Sequence, residues 1–217
     1  MSEKNSSIFQ DRPFYLLSSS KNIILPEHIN QFKNRNPELS TFVDSFPIEL
    51  KPIQLSNFEA FCFWIIGQQI SGRAANAIIK RFQEYFITIS PNEILSKSVP
   101  ELRSIGLSKN KSLYLHNLAN FFLNNEFPDF KLMSSREIIA YFSQIKGVGE
   151  WTVQMHLIFS FGRLDLFASK DLVVRKGIQK LYNLDHTPSE KEVLLLCEKW
   201  TNLATLGTIL SWAMMGE

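Results

Sequence analysis

Apolar residues recur at helical spacing along most of the chain from residue 56 onward. One set consists of Phe58, Phe61, Cys62, Ile65 and Ile66, and a second of Ile138, Tyr141, Phe142 and Ile145. Spacings of three, four and seven residues place the members of each set on one side of a helix. Between 151 and 161, apolar residues occupy nearly every side of the predicted helix. The pattern therefore predicts amphipathic helices packed around a buried helix at 151–161.

Helix starts are marked by a Ser or Thr that is followed three residues later by Glu. In such a capping box, each side chain satisfies a backbone N–H that the first helical turn leaves unpaired. The signal occurs at Ser56/Glu59, Ser90/Glu93, Ser98/Glu101, Ser134/Glu137 and Thr187/Glu190. Strand signals are weak and confined to the N-terminal fifty residues. We therefore expect an all-α fold of about ten short helices joined by short loops.

Length and composition set the size and class of the protein. The chain has 217 residues, of which 45% are hydrophobic, enough for one large domain or for two small lobes packed together. Residues 1–20 are Ser-rich and weakly patterned, so we predict a loose N-terminal arm followed by a helical domain over 21–217. No apolar run reaches the roughly 18 residues that span a bilayer, and no signal-peptide pattern is present. We expect a soluble protein without membrane association, cytoplasmic in a bacterium or nuclear in a eukaryote.

Cysteine content and charge exclude some classes of function. Cys62 and Cys197 are the only cysteines and lie in apolar, helix-like contexts, so they supply no ligand set for zinc or an iron–sulfur cluster. We therefore predict no bound metal at cysteine. The formal net charge of +2 is too small to indicate a nucleic-acid partner by itself. The class of binding partner therefore has to be inferred from local sequence motifs.

The most informative segment is 137–177. A helix that we expect to end at Ile145 is followed by the turn Lys146-Gly147-Val148-Gly149. Without a Cβ, both glycines can adopt positive φ and allow another chain to come close. The positive end of the next helix's dipole lies at the same place, where it would stabilise a phosphate. By itself the turn is also typical of an ordinary helical hairpin, and both interpretations stay open at this point.

The context of the turn carries a resemblance to a known family. After GVGEWT the chain continues with Asp165-Leu166-Phe167 and with KDLVVRKG over residues 170–177. Further matching segments are FWIIGQQIS at 63–71, LRSIGLSKNK at 102–111 and the C-terminal helix with Trp200 and Trp212. Over roughly residues 37–212 the chain resembles the helix-hairpin-helix (HhH-GPD) DNA glycosylase superfamily, and within it the DNA-3-methyladenine glycosylase II (AlkA-type) branch. The resemblance implies a two-lobed, all-α glycosylase fold with the helix-hairpin-helix at about 135–162.

Asp171 matches the essential aspartate of the family, so the resemblance implies that it is the catalytic carboxylate. From the residue pattern alone, Asp171 would cap a helix at Val173 or Val174. Asp165 is the competing carboxylate, and the resemblance makes it a loop-organising residue. Base excision passes through a positively charged sugar, which a single anion can stabilise. A base alkylated at a ring nitrogen is already cationic and leaves as a neutral molecule, so no second catalytic carboxylate is required.

The resemblance also implies a pocket for the damaged base. Its residues would be Trp151, Trp212 and Met155, and an electron-poor ring stacks well against indoles. For the two tryptophans, packing in the core is the alternative interpretation. Met155 stands where the family commonly has an aromatic residue. The strand-cleaving branch forms a Schiff base through a lysine at the position of Trp151, so we expect hydrolysis without lyase activity.

DNA contacts are implied for two segments and one further lysine. The residues concerned are Gln68, Gln69, Lys146, Gly147, Val148, Gly149 and Lys170. A target base has to be flipped out of the duplex, and Gln69 matches the position of the side chain that fills the gap. Its alternative is a solvated loop residue. Lys146 stands where Pro is usual and Ala204 where Arg is often found, which leaves the lesion range open.

These implications combine into one expected function. We expect a monomeric enzyme that excises alkylated purines such as 3-methyladenine from double-stranded DNA with damaged bases. No cofactor is expected, apart from a monovalent cation that the hairpin carbonyls could hold. One alternative is a non-catalytic helix-hairpin-helix DNA-binding protein, which would need the hairpin but not Asp171. Others are an oxidised-base glycosylase with lyase action and an all-α protein-interaction module in which the hairpin is only a turn.

Overall fold

The computed structural model describes residues 21–46 and 48–216, and this part of the chain is mainly helical. Its α-helices are α1 (Pro26–Arg35), α2 (Ser40–Ser45), α3 (Asn57–Gly67), α4 (Gly72–Tyr85), α5 (Pro91–Leu95), α6 (Val99–Ser104), α7 (Lys109–Asn124), α8 (Ser135–Phe142), α9 (Glu150–His156), α10 (Leu172–Leu181), α11 (Glu190–Leu196) and α12 (Ala204–Ala213). A π-helical turn continues α9 over Leu157–Phe161, and 3₁₀ turns cover Pro37–Leu39 and Glu198–Leu203. No β-strand occurs among the described residues, so the predicted all-α class is confirmed. The predicted loose arm at 1–20 lies outside the described residues.

The described part of the chain has twelve α-helices, slightly more than the ten or so predicted. Three of them, α2, α5 and α6, have only 6, 5 and 6 residues. Helices of that length make fewer than two turns, so apolar periodicity cannot separate them from a loop. No helix of the described residues is long and apolar enough to cross a membrane.

Serine caps start many of these helices, as the sequence predicts. Ser56, Ser98 and Ser134 each accept a hydrogen bond from the backbone N–H of the Glu three residues later, and that Glu side chain returns to the N–H of the Ser. Ser90 caps α5 by accepting from the N–H of Glu93. Four of the five predicted helix starts are therefore confirmed.

The fifth predicted start, Thr187/Glu190, is wrong. The cap of α11 is Ser189, whose N–H donates to Glu192 Oε2 at 2.7 Å while Glu192 N–H donates to Ser189 Oγ at 3.3 Å. The Thr187 hydroxyl donates instead to Gln179 Oε1 at 2.7 Å. The sequence contains two overlapping capping patterns here, Thr187/Glu190 and Ser189/Glu192. Because the Thr187 hydroxyl bonds to Gln179, Ser189 is the residue that caps α11.

Packing divides the chain into two compact units. Within the described residues, the first unit combines residues 21–52 with 161–216 and holds α1, α2 and α10 to α12. The second unit is Ile53–Ser160 and holds α3 to α9.

In the first unit, α10 and α12 pack against each other at very short range. A Cβ added to Gly177 of α10 would lie 2.0 Å from the carbonyl oxygen of Ser211 in α12. A glycine inside a helix costs about 1 kcal/mol relative to alanine. Gly177 therefore lowers the intrinsic stability of α10. What it makes possible is the close approach of α10 to α12.

In the second unit, α3 and α9 form the centre of the core. Every side chain from Ala60 to Ile66 is buried, and so are Val153, Leu157 and Ile158. The ring of Phe61 packs against His156 with a centroid distance of 4.1 Å. The predicted buried helix at 151–161 is confirmed as α9 together with the π-helical turn that continues it.

An exposed ionic cluster lies just before α11 in the first unit. His186 Nδ1 is 2.6 Å from Asp185 Oδ1, and His186 Nε2 is 3.1 Å from Glu192 Oε1. The hydrogen bond with Asp185, followed by that with Glu192, raises the pKa of His186 above the ordinary value of 6.5. Because the folded pKa exceeds the unfolded one, this cluster stabilises the fold fully below pH 6.5, and its contribution is lost as the pH rises through the folded pKa.

We expect His186→Ala to lower Tm at about pH 5.5 and to have a smaller effect as the pH rises through the raised pKa of His186, because the wild-type imidazole loses its charge there. Thermal unfolding followed by circular dichroism across this pH range measures the difference. Lys191→Ala is the control, because it removes an exposed side chain next to Glu192 and leaves His186 in place. A Tm difference for His186→Ala that did not depend on pH would show that the side chain acts by packing rather than by charge.

Candidate active site

Asp171 is the N-cap of α10. Its backbone is extended, and its Oδ1 accepts hydrogen bonds from Val173 N at 2.7 Å and Val174 N at 3.4 Å. The cap that the sequence predicts is therefore confirmed. The second oxygen, Oδ2, accepts a hydrogen bond from Trp212 Nε1 at 3.4 Å. The cap thus fixes the orientation of the carboxylate, while Oδ2 takes no part in capping.

The loop that leads to Asp171 is held by two threonines of α12. Thr205 Oγ1 accepts a hydrogen bond from Leu166 N at 3.2 Å, and Thr208 Oγ1 accepts one from Ala168 N at 3.3 Å. The same helix carries the indole that donates to the Asp171 carboxylate. One helix, α12, therefore holds the loop before Asp171 and also contacts the carboxylate itself.

Asp171 and Trp212 are the predicted site residues that the structure brings together in the first unit. Trp212 is only 4% exposed, so its ring belongs to the core while its Nε1 reaches the carboxylate. Both sequence interpretations of Trp212, core packing and site residue, are compatible with this position. Lys170 and Asp165 are exposed on the loop before α10. The predicted contact of Lys170 with DNA stays a prediction.

The predicted hairpin joins α8 to α9 in the second unit. α8 ends at Phe142 and not at Ile145, because the chain tightens after α8: Ile145 N donates to Phe142 O at 3.1 Å and Val148 N to Ile145 O at 2.9 Å. Val148 is 2% exposed and anchors the turn in the core. Lys146, in contrast, is exposed. The turn therefore presents one side to solvent and buries the other.

The two hairpin glycines differ in their role. Gly147 has a φ of +103°, and a Cβ there would lie 2.1 Å from the ring of Tyr114, so a larger residue would be both strained and blocked. Gly149 is the N-cap of α9 with a φ of −89°, so it does not use the positive φ that a glycine can adopt. Among the described residues other than Gly149 and its two chain neighbours, no heavy atom lies within 4 Å of the position that a Cβ of Gly149 would take. The backbone at Gly149 is therefore open to close approach from outside.

Gln68 and Gln69 follow α3 and lie at the hairpin. Gln68 Nε2 donates to Gly147 O at 2.9 Å and to Thr152 Oγ1 at 2.8 Å. Gln69 is exposed and has a φ of +57°, a left-handed conformation that non-glycine residues rarely adopt. The structure thus brings Gln68 and the hairpin together within the second unit. The predicted insertion of Gln69 into DNA stays a prediction.

Trp151 and Met155 lie one turn apart on α9. Trp151 is half-buried in the first turn of the helix, and Met155 is 2% exposed. Both belong to the second unit, whereas Asp171 and Trp212 belong to the first. The hydrogen bonds therefore define one group of site residues in each unit. That these residues together form the pocket for the damaged base stays a prediction.

The sequence did not single out α7 as a contributor to this region. Lys111 Nζ donates to Ile66 O at 2.7 Å, and its burial lowers the pKa of the ammonium group. Asn117 Nδ2 donates to Lys146 O at 3.0 Å. The sequence shows only that Lys111 and Asn117 are six positions apart and so can lie on the same side of a helix. The carbonyl oxygens that these side chains reach are distant in sequence and could not be read from it.

The family comparison agrees with the sequence motifs. A family model described as the HhH-GPD superfamily of base excision DNA repair proteins matches residues 62–203. The alkylbase DNA glycosidase-like protein mag2 of Schizosaccharomyces pombe is 28% identical over 195 residues, which are 86% of this chain and 90% of that protein. DNA-3-methyladenine glycosylase 1 of the same organism is 35% identical over 138 residues, and this match covers 60% of each chain.

A solved structure shows a similar fold. It is that of Schizosaccharomyces pombe 3-methyladenine DNA glycosylase (Mag1) in complex with abasic DNA. The TM-score is 0.76 at 26% sequence identity, and the match covers 86% of this chain and 95% of that one. The similarity therefore extends over both units of the chain.

Proposed function

Because the chain belongs to the HhH-GPD superfamily of base excision DNA repair proteins, we propose that it is a monofunctional DNA glycosylase. It hydrolytically excises alkylated purines such as 3-methyladenine from duplex DNA. The names of the two Schizosaccharomyces pombe relatives and the abasic DNA bound in the similar solved structure support this substrate class. The observation that carries the proposal is the oriented carboxylate of Asp171, whose Oδ2 meets the indole of Trp212.

In the proposed reaction, the bond between the sugar C1′ and the purine nitrogen breaks, and both bonding electrons leave with the base. A purine alkylated at a ring nitrogen, such as 3-methyladenine in DNA, carries a positive charge, so it departs as a neutral molecule and needs no acid to protonate it. Positive charge then develops on the sugar, where the anionic Asp171 stabilises it. Water adds to C1′ and releases a proton, which leaves an abasic site in an unbroken strand.

The identity of residue 151 supports hydrolysis over strand cleavage. A lyase needs an amine that forms a Schiff base with the sugar. The side chain at this position is an indole, which cannot do so. Lys146 and Lys170 are exposed and are proposed to contact phosphates, together with the open backbone at Gly149. We also propose that the protein acts as a monomer and without a cofactor, and a monovalent cation at the hairpin carbonyls stays a prediction.

The test of this function is base release from methylated DNA. Purified protein is incubated with duplex DNA treated with a methylating agent, and the free bases are separated by chromatography. We expect 3-methyladenine in the soluble fraction and strands that break only after alkaline heating. Borohydride should trap no covalent adduct between protein and DNA, because no Schiff base forms.

Each contrary result has a distinct meaning. A borohydride adduct would overturn the monofunctional assignment and favour the oxidised-base lyase. Binding to abasic DNA without release of any methylated base would favour a non-catalytic DNA-binding protein. Release profiles on oligonucleotides that carry 3-methyladenine, 7-methylguanine or hypoxanthine then define the lesion range.

A further inference from the structure

The loop after α3 is tied to the hairpin turn and to α9 by one side chain. Gln68 Nε2 donates to Gly147 O in the turn and to Thr152 Oγ1 in the first turn of α9. The bonded residues are 79 and 84 positions away in the chain, so the contact joins segments that the backbone does not connect locally. An amide nitrogen has two hydrogens, and these two acceptors use both.

α7 contacts the same two segments from one side. Lys111 Nζ donates to Ile66 O at the end of α3, and Asn117 Nδ2 donates to Lys146 O in the hairpin. Between them, the ring of Tyr114 fills the space that a side chain at Gly147 would need. The three residues are spaced at i, i+3 and i+6 and therefore lie along one side of the helix. We call Lys111, Tyr114 and Asn117 the α7 face.

The conformation of Gln69 makes this bracing significant. Its φ of +57° lies in the left-handed region, which a non-glycine residue occupies at an energetic cost. Such a conformation persists only where the surroundings fix it, and it is common at functional sites. Before Gln69, the chain is held at Gln68 and at Ile66, whose carbonyl oxygen accepts from Lys111. After Gln69, it is held at Ser71, which caps α4 by accepting from Ala74 N. The exposed Gln69 side chain is thus carried on a loop that is fixed at both ends.

We propose that Gln68 and the α7 face are positioning residues, which hold the Gln69 loop at a fixed place relative to the hairpin so that base flipping and backbone binding act on the same nucleotide. The proposal rests on the proposed glycosylase function. It replaces the DNA contact predicted for Gln68 with a role inside the protein. Loops that carry function depend on such rigid support, since small displacements of a positioning element lower rates by up to about a hundredfold.

The decisive variant is Gln68→Glu, which keeps the size of the side chain but loses both N–H donors. We expect its single-turnover release of 3-methyladenine to fall about ten- to a hundredfold. The fluorescence increase of 2-aminopurine placed next to an abasic-site analogue should fall as well, because this probe reports unstacking around the flipped position. Affinity for the same duplex should change by less than about threefold, since phosphate contacts supply most of the binding.

Lys111 gives an independent test with a conservative rescue. Lys111→Met removes the donor to Ile66 O but keeps the apolar part of the side chain. It should lower both base release and 2-aminopurine fluorescence. Lys111→Arg keeps a donor and should restore them. Lys109→Met is the charge-matched control, because it removes a positive charge from an exposed position on the same helix. Gln144→Glu is the control for Gln68→Glu, since it adds a negative charge near the hairpin on a side chain that bonds only within its own turn.

The outcomes separate the positioning role from stability and from the proposed function. Base release and probe fluorescence that match the wild type in Gln68→Glu and Lys111→Met would overturn the positioning role. The positioning role would also be overturned if Gln144→Glu and Lys109→Met lost base release and probe fluorescence to the same extent. It would be overturned as well if the losses disappeared when both readouts were normalised to the amount of folded protein. A wild-type protein that releases no base would overturn the glycosylase function, and the fluorescence comparison on the abasic duplex would still test the positioning role.

Discussion

Asp171→Asn should reduce the single-turnover rate of 3-methyladenine release by at least about a hundredfold, the magnitude typical of removing one preorganised electrostatic contact to a developing charge. Asparagine has the same shape, and its amide oxygen can still accept the hydrogen bonds from Val173 N and Val174 N. Because asparagine is as good an N-cap as aspartate, α10 should keep its stability. The variant lacks the negative charge that stabilises the sugar cation, and its amide nitrogen cannot accept the 3.4 Å hydrogen bond from Trp212 Nε1. Chromatography of released bases measures the rate.

The controls separate chemistry from capping. The Asp171→Asn protein should bind abasic-site DNA and keep the helix cap, losing only the long bond from Trp212 Nε1, whereas Asp171→Ala should also lose about 1 kcal/mol of stability with the cap. Asp165→Asn tests the competing carboxylate and should leave base release unchanged. If Asp171→Asn excised bases at the wild-type rate, Asp171 would be only a helix cap, and the proposed mechanism would be wrong.

Gly177→Ala should destabilise the first unit although alanine is the better helix former. In an isolated helix the change would contribute about 1 kcal/mol of stability. Here the new Cβ would lie 2.0 Å from Ser211 O, a backbone atom that cannot rotate away. The two helices have to separate, and overpacking of this kind typically costs about 1–3 kcal/mol. We expect a lower urea midpoint and reduced base release, because α10 carries Asp171 and α12 carries Trp212.

Gly67→Ala is the matched control for this prediction. Gly67 is also a helical glycine, at the end of α3, and its Cβ would meet only Ala75 Cβ at 4.0 Å. The change should therefore leave stability unchanged or raise it by up to about 1 kcal/mol. A Gly177→Ala protein as stable as Gly67→Ala would show that the packing of α10 on α12 can relax without cost.

The sequence predicted local structure well because local structure depends on neighbours in the chain. Four serine caps and the buried helix at 151–161 could be read from spacing alone, and Asp171 could be read as a helix cap. The Thr187/Glu190 box was wrong because a second capping pattern overlaps it and because the Thr187 hydroxyl bonds to a helix that ends before it. Such a contact depends on tertiary packing, which a local pattern does not contain.

The candidate site was only partly predictable for the same reason. The family resemblance identified Asp171, Trp212 and Gln68, but not which atoms they contact. The bond from Trp212 to Asp171 spans 41 positions, and that from Gln68 to the hairpin spans 79. Nothing in the local sequence of Tyr114 or Asn117 indicates that they brace the hairpin. These roles require the fold, because Asn117 reaches the carbonyl oxygen of Lys146 and the Tyr114 ring reaches Gly147, and both contacts depend on tertiary packing.

The division of the described residues into one continuous and one discontinuous unit has a consequence for the synthesis of the chain. Within the described residues the second unit is the single segment Ile53–Ser160, so all of its helices are translated before α10 to α12. Since compact units tend to fold as they emerge, the hairpin and the Gln69 loop are expected to be in place first. The first unit has to wait for α12. Nascent chains should accordingly form the hairpin and the Gln69 loop before the hydrogen bond between Trp212 and Asp171. The proposed catalytic site would then be completed last.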